Sequence, residues 1–195
     1  LADPFYNQFI RSLNYHADCS HYGALYCVRN NYLSTNVDYL STLSAKVDGY
    51  IFLGENTVSE DELRLLAETN IPVVTMEFKF NIPGITYLTI DNKKATVRGI
   101  EYLIQKGHKK ILHIGLDPSV IEFREREEGY ITTVLKHKCG YSKVIFGDYE
   151  MSRNIKLGET LNKYIIEDGI TAIFCANDMV AIGIREGLKN IGMED

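Results

Sequence analysis

The sequence lacks the short motifs that mark common catalytic and nucleotide-binding sites. The phosphate-binding patterns GxGxxG and GxxxxGK[ST] do not occur, and the GxSxG and HExxH signatures of hydrolases and zinc peptidases are missing as well. No nucleophile stands in a pattern that supplies it with a base. No histidine has an identifiable catalytic partner, and a lone histidine near an apolar stretch is more often structural. These absences favour a binding module over an enzyme.

Cysteine is scarce and scattered. The four cysteines, Cys19, Cys27, Cys139 and Cys175, form no CxxC pair, and no histidine cluster has the spacing of metal ligands. The sequence therefore predicts no metal site and no cofactor. Cys27 and Cys175 fall in apolar runs typical of strands, where a free thiol behaves as a small hydrophobic group. This pattern fits a reducing cytoplasm better than a secreted protein held by disulfides.

Long hydrophobic runs and an excess of basic charge are also missing. No apolar run approaches the length of a membrane span, and no signal peptide opens the chain, although a mature secreted form would have lost one. The net charge of −5, with both signs interspersed, argues against direct binding of nucleic acid phosphates by this segment. A chain of 195 residues with 45% hydrophobic content can form one large or two small domains.

The most informative stretch is residues 170–192, ITAIFCANDMVAIGIREGLKNIG. Its apolar first part predicts a strand buried on both faces, and the apolar spacing after the Asn177-Asp178 break predicts an amphipathic helix. Asp178 is expected to cap this helix and Gly192 to end it. Polar side chains beyond the carboxyl end of a parallel strand lie where ligands bind. Asn177 is therefore either a ligand-binding residue or only part of a turn.

Strands alternate with helices along the whole chain, which predicts parallel sheets joined by right-handed crossovers. A capping box at Ser59 and Glu62 marks the start of one helix. A weak internal repeat relates residues 47–68 to 170–190 and indicates two similar α/β lobes, placed at 1–106 and 107–195. The fold class is thus α/β, with two doubly wound parallel-sheet lobes facing each other across a cleft. Other strands are predicted at 24–28, 50–53, 73–76, 85–90, 111–114 and 144–146, and the later helices at 122–137 and 152–166.

Eight segments resemble, in order and over nearly the whole chain, the effector-binding domain of lactose/galactose repressor (LacI/GalR) family regulators. They are DPFYNQFI (3–10), VDGYIFL (47–53), NIPVVTME (70–77), IDN (90–92), YLIQKGHKKILHIG (102–115), REREEGY (124–130), GDY (147–149) and TAIFCANDMVAIG (171–183). The resemblance implies a periplasmic-binding-protein-like fold with an effector in the cleft between two lobes.

The same resemblance assigns roles to individual residues. Phe5 and Tyr6 match an aromatic pair that faces the ligand, although packing in a core is the alternative for both. Arg126 matches the arginine that binds effector oxygens, for which a planar guanidinium is suited. Tyr149 matches an aromatic residue that packs flat on a sugar or base, and Asn177 matches the polar residue of the A-N-D turn, whose amide can both donate and accept.

Three acidic residues form a second group of candidates near the cleft, namely Glu77, Asp91 and Glu122. Each is expected at a strand end or a helix start, and for Asp91 helix capping explains the residue as well as ligand binding does. Arg124 is expected to point outward, away from Arg126. By default, the charged run at 124–128 would be a solvated helix face.

The chain also departs from the family pattern, because it contains no helix-turn-helix, lacks the family's first strand and stops before the next strand. We therefore expect a segment of a longer protein, the effector-binding and dimerising part of a cytoplasmic regulator that binds operator DNA through a separate domain. The first choice of effector is a sugar or sugar derivative, and a purine is the second. A secreted solute-binding protein of a transporter is the alternative function, and a small α/β enzyme with a nucleotide-like substrate is the third.

Overall fold

The computed structural model describes residues 4–27, 40, 46–54, 57–78, 80–139 and 142–193. The chain divides into two compact units, residues 1–42 and residues 43–195. The apolar spacing of Val37, Leu40 and Leu43 predicts a short helix that ends near Lys46. This helix lies almost wholly outside the described residues, although Leu40 is helical. In the part of the chain that is described, no helix combines the length and apolar character needed to cross a membrane.

The first unit contains helix α1 (Pro4–Cys19), which buries none of its residues. The strand predicted at 24–28 is wrong over its described part, because residues 22–27 adopt no regular secondary structure and Cys27 is exposed. A single extended segment forms a strand only where a neighbour pairs with its backbone groups, and no described residue of this unit belongs to a strand. The apolar composition of this segment therefore predicted a strand that does not form, and it wrongly predicted that Cys27 is buried.

The second unit begins with a three-stranded parallel sheet. Strands β1 (Tyr50–Leu53), β2 (Val73–Met76) and β3 (Ile85–Leu88) lie in the order β1-β2-β3. Helix α2 (Glu60–Ala67) connects the first two strands. Its predicted capping box is confirmed, since the Ser59 side chain accepts from the Glu62 backbone while the Ser59 N–H donates to the Glu62 carboxylate at 2.8 Å. The carboxyl ends of β2 and β3 form part of the site described below.

A second parallel sheet follows, with β4 (Ile111–Gly115) at its centre between β5 (Val144–Phe146) and β6 (Ala172–Cys175). Every residue of β4 is buried, as its continuous apolar sequence predicts. The helices of this part are α3 (Asn92–Gln105), α4 (Ile121–Lys136), α5 (Met151–Glu159), α6 (Asn162–Ile166) and α7 (Asp178–Asn190). The single helix predicted at 152–166 is two helices, because the chain turns at Thr160 to bury Leu161 completely.

Hydrophobic cores cover both faces of the second sheet, so it is doubly wound. On one face, Ile100 of α3 and Tyr130 of α4 pack with Ile111. On the other, Val180 and Ile184 of α7 pack with further residues of β4 and with Leu161. Helix α3 thus contributes to the core of the second sheet, although the predicted boundary at 106/107 assigns it to the first lobe. That boundary stays a prediction.

Helices α5 and α7 approach each other so closely that glycine is required at their contact. A Cβ atom on Gly187 would lie 2.0 Å from the Ile155 carbonyl oxygen, and one on Gly158 would lie 2.5 Å from the Ile184 carbonyl oxygen. Both neighbours are backbone atoms that cannot rotate away. These glycines therefore hold α7, and with it the residues at its amino end, against the second sheet.

Candidate functional site

A cavity of about 400 Å³ opens between the first sheet and helix α4 of the second unit. The carboxyl ends of β2 and β3 form one wall, and the first turns of α4 form the other. Its lining residues are Glu77, Asn81, Thr89, Ile90, Asp91, Ile121 and Glu125. Volumes of 300–1,000 Å³ are typical of small-molecule sites, and ligands of α/β proteins bind beyond the carboxyl ends of parallel strands. This cavity is therefore the candidate site.

Local geometry aims two carboxylates at the cavity. Glu77 follows β2 with a φ of 78°, a conformation that few residues other than glycine adopt, and its backbone N–H donates to the Leu88 carbonyl at 3.0 Å. Asp91 caps α3, since its Oδ1 accepts from the Lys94 N–H at 2.8 Å. The predicted capping role of Asp91 is thus confirmed, and the same residue also lines the cavity.

A hydrogen-bond network around Arg126 joins three elements beside the cavity. The Arg126 Nε donates to Asn92 Oδ1 at 3.0 Å, and a terminal nitrogen of the guanidinium donates to the Ala176 carbonyl just beyond β6. The Asn92 side-chain nitrogen in turn donates to the Glu125 carboxylate at 3.3 Å. Asn92 is only 2% exposed, so its amide depends on these partners. The network fixes the starts of α3 and α4 relative to the end of β6.

Asn177 stands directly after this network and caps helix α7. Its Oδ1 accepts from the Val180 N–H at 2.9 Å, and its extended backbone is typical of an N-cap residue. The prediction that Asp178 supplies the cap is wrong, because Asp178 is already the first helical residue and is exposed. The described residues offer the Asn177 Nδ2 no partner, so that donor remains available to a ligand. Gly192 ends the helix region in the left-handed conformation, as predicted, with a φ of 76°.

Tyr149 and Arg126 both pack against Phe123. The Phe123 ring is 6.1 Å from the Tyr149 ring and 5.6 Å from the Arg126 guanidinium carbon. Tyr149 is 66% exposed. Partial burial, reinforced by the carboxylates of Asp117, Glu122 and Asp148, raises the pKa of the Tyr149 phenol above its ordinary value. The phenol is therefore a neutral hydrogen-bonding group at pH 7.

The other candidates are placed less directly. Glu122 is buried at the start of α4, one turn before Glu125. Phe5 and Tyr6 belong to the first unit, where their rings meet edge to face at 5.3 Å. Their placement relative to the cavity stays a prediction. The structure thus brings Arg126, Tyr149 and Asn177 into one neighbourhood, and it places Glu77 and Asp91 in the cavity wall.

Sequence reasoning missed Asn92, Glu125, Asn81 and Thr89. Of these, Glu125 could have been found from helical spacing. Glu122, Glu125 and Arg126 share a face of α4 with the buried Gly129 and Tyr130, a set of positions separated by three or four residues. The solvated-face interpretation of 124–128 holds for the exposed Arg124 and Glu128, but it is wrong for Glu125.

A buried histidine close to the network predicts a pH-dependent stability. His113 is fully buried in β4, and its Nδ1 lies 2.9 Å from the Phe174 carbonyl, so Nδ1 carries the proton. Burial lowers the pKa of His113 below 6.5; the hydrogen bond to Phe174 opposes this shift, and the charge of Arg126 adds to it. Because the unfolded state then binds the proton more readily, stability should fall as the pH drops below about 6.5, by at most about 1.4 kcal/mol per pH unit.

Urea unfolding between pH 5 and pH 8 tests this expectation. The variant His113→Gln keeps an N–H donor but cannot titrate, so its stability should fall less steeply at acid pH than that of the unaltered protein. His137→Gln is the control, because His137 lies at the surface near Glu101. Parallel pH profiles for the protein and the His113 variant would contradict the assignment.

Residues 1–194 match the family described as periplasmic binding proteins and the sugar-binding domain of the LacI family. A probable HTH-type transcriptional repressor, ExuR, of Bacillus subtilis is 29% identical over 160 residues, which cover 80% of this chain and 47% of the relative. Catabolite control protein A of Staphylococcus epidermidis is 27% identical over 197 residues, covering all of this chain and 58% of the relative. The chain thus spans about half the length of these relatives.

Solved structures share the fold. A periplasmic binding protein/LacI transcriptional regulator from Alkaliphilus metalliredigens, complexed with D-xylulofuranose, superposes with a TM-score of 0.77 at 24% identity. The match covers 99% of this chain and 70% of that chain. This likeness confirms the periplasmic-binding-protein-like α/β fold that the sequence predicts.

Proposed function

Because the chain belongs to the family of periplasmic binding proteins and LacI-type sugar-binding domains, we propose that it senses a small effector for a DNA-binding transcriptional regulator. The effector is a sugar or a sugar derivative, and it binds in the cavity between the first sheet and helix α4. The regulator works as a cytoplasmic homodimer and binds operator DNA through a domain outside this chain. The chain itself catalyses no reaction.

The position of the cavity carries this proposal. One wall consists of the carboxyl ends of β2 and β3, and the other belongs to α4, so a bound ligand would contact both halves of the second unit. A ligand shifts a conformational equilibrium only as far as it binds one state better than the other. A site with one wall on the first sheet and the other on helix α4 meets this condition, because any change in the separation of these walls changes the contacts to the ligand.

The polar groups around the cavity favour a sugar-like effector. The carboxylates of Glu77, Asp91 and Glu125 accept from hydroxyl groups, and the Asn81 amide both donates to and accepts from them. Tyr149 is exposed beside Phe123 but does not line the cavity. The xylulofuranose complex of the similar structure supports the same class. A purine remains the second candidate.

The names of the relatives favour a regulator over a secreted solute-binding protein. They are a transcriptional repressor and a catabolite control protein, and both are longer than this chain. The two functions make different predictions about the gene upstream of Leu1. A regulator requires a helix-turn-helix of about sixty residues, whereas a solute-binding protein requires a signal peptide.

Calorimetry of the full-length protein against sugars, sugar phosphates and purines tests the effector class. We expect a sugar or a sugar derivative to bind with a 1:1 stoichiometry and to change the affinity of the protein for its operator DNA. If only purines bind, the effector is a purine and the proposed sugar class is wrong. A signal peptide in the gene, with no effect of any ligand on DNA binding, would refute the proposed function.

A further inference from the structure

We propose that the effector carries a positively charged amino group, as an amino sugar does, and that Glu77, Asp91 and Glu125 select it. This inference rests on the proposed function, because it concerns the same cavity. It goes further by specifying the charge of the ligand. Sugar phosphates and sugar acids are then excluded, and neutral sugars bind more weakly.

The described wall of the cavity is negatively charged. Among the residues that the structure describes, seven line the cavity, and three of them are carboxylates from three separate segments of the chain; none of these seven is lysine, arginine or histidine. The remaining polar side chains, Asn81 and Thr89, are neutral. Like charges that share a partly enclosed space repel each other, and a cation placed between them removes that repulsion.

Arg126 already has hydrogen-bond partners within the protein. Arg126 lies on the same face of α4 as Glu125, but it already donates to Asn92 and to the Ala176 carbonyl. These two bonds hold its guanidinium against Asn92 and the end of β6, and Arg126 is not one of the described lining residues. An anionic ligand in the cavity would therefore contact the three carboxylates without a described cation in the lining to offset their charge.

Two of the carboxylates, those of Glu125 and Asp91, are each held through one oxygen atom. Glu125 accepts from Asn92 through Oε2, and Asp91 accepts from the Lys94 N–H through Oδ1. In both cases one oxygen fixes the carboxylate, while the described residues donate nothing to the other oxygen. An ammonium group has three donors and no acceptor, so it can bond to several such oxygens at once. Hydrogen bonds between charged groups are roughly twice as strong as those between neutral groups.

The size of the cavity is consistent with a monosaccharide. A volume of about 400 Å³ lies at the small end of the range for ligand sites. The ring and hydroxyl groups of a hexosamine can therefore occupy the same cavity as its ammonium group, with Asn81 and Thr89 as neutral partners.

Matched charge series test the proposal. Calorimetry of the full-length protein would use glucosamine, galactosamine and mannosamine, each beside its neutral parent sugar and the corresponding uronic acid. At least one amine should bind about tenfold to a hundredfold more tightly than its parent, which corresponds to one charge-assisted hydrogen bond. The uronic acids should not bind.

A pair of variants tests the role of the carboxylate. Glu125→Gln keeps the shape of the side chain and its oxygen for Asn92, and it should reduce the preference for the amine over the parent sugar about tenfold or more. Glu128→Gln is the control, because Glu128 lies on the same helix but is exposed and pairs with Lys93 at 3.2 Å. The control should leave the preference unchanged.

The outcomes separate this inference from the proposed function. Equal or tighter binding of a neutral sugar, or any binding of a uronic acid, overturns the amine assignment and leaves sugar sensing intact. Failure of every amine to bind overturns it as well. Failure of all sugars together, amines included, refutes both proposals.

Discussion

Replacing Arg126 with alanine should lower the free energy of unfolding by about 3 kcal/mol and weaken effector binding at least about a hundredfold. The guanidinium makes two charge-assisted hydrogen bonds, to Asn92 and to the Ala176 carbonyl. Its loss leaves the buried Asn92 amide short of a partner, and an unpaired buried polar group costs about 1–3 kcal/mol. It also releases the connection between α3, α4 and the turn that carries Asn177. Chemical unfolding and calorimetry measure the two effects.

Arg124 provides a matched control for this substitution. It lies two residues away on the same helix and is exposed, so Arg124→Ala should change stability by less than about 0.5 kcal/mol. If Arg126→Ala does not fold, Arg126→Lys keeps the charge but cannot form the planar two-sided contact, and it should still weaken binding. Normal effector binding by either folded Arg126 variant would contradict the role assigned to Arg126.

Replacing Gly187 with alanine should destabilise the protein by about 3 kcal/mol. Alanine favours a helix over glycine by about 1 kcal/mol, so propensity alone predicts a gain. The added Cβ would lie 2.0 Å from the Ile155 carbonyl oxygen and 2.8 Å from the Gly158 Cα. Both atoms belong to the backbone of α5, so the two helices must move apart, and the repulsion outweighs the gain. The midpoint of urea unfolding measures the result.

The same substitution at Gly23 shows whether the effect belongs to the helix contact. A Cβ atom on Gly23 would meet nothing within 4 Å. Gly23→Ala should therefore change the free energy of unfolding by less than about 0.5 kcal/mol. If Gly187→Ala is as mild as this control, or if it stabilises the protein, the close packing of α5 and α7 is wrong.

Most of the second unit is predictable from its sequence, because local and tertiary signals agree there. Strands Tyr50–Leu53, Val73–Met76 and Val144–Phe146 have the predicted bounds. Their apolar runs are short, and turns or capping residues limit them on both sides. The prediction fails at residues 24–27, where an apolar run has no pairing partner among the described residues of its unit. Pairing is a tertiary property that the composition of one segment does not contain.

The candidate site is less predictable, since its residues come together from distant segments. The A-N-D turn indicated that Asn177 is special, yet it did not indicate whether Asn177 or Asp178 caps the helix. Both residue types favour that position, and only the backbone dihedral angles decide between them. Glu125 was hidden in a run of charges, although its spacing from Gly129 and Tyr130 indicates a buried face. Asn92 gains its role only from Arg126, which is 34 residues away in the sequence.

We propose above all that a small ligand binds between the first sheet and helix α4, in the cavity lined by Glu77, Asp91 and Glu125. A crystal structure of the complex with the tightest-binding sugar tests it most directly. The ring of the ligand should occupy this cavity, with its hydrogen bonds shared between the ends of β2 and β3 and the start of α4. A ligand bound elsewhere on the chain, or contacting only the strand ends or only α4, would contradict the proposal.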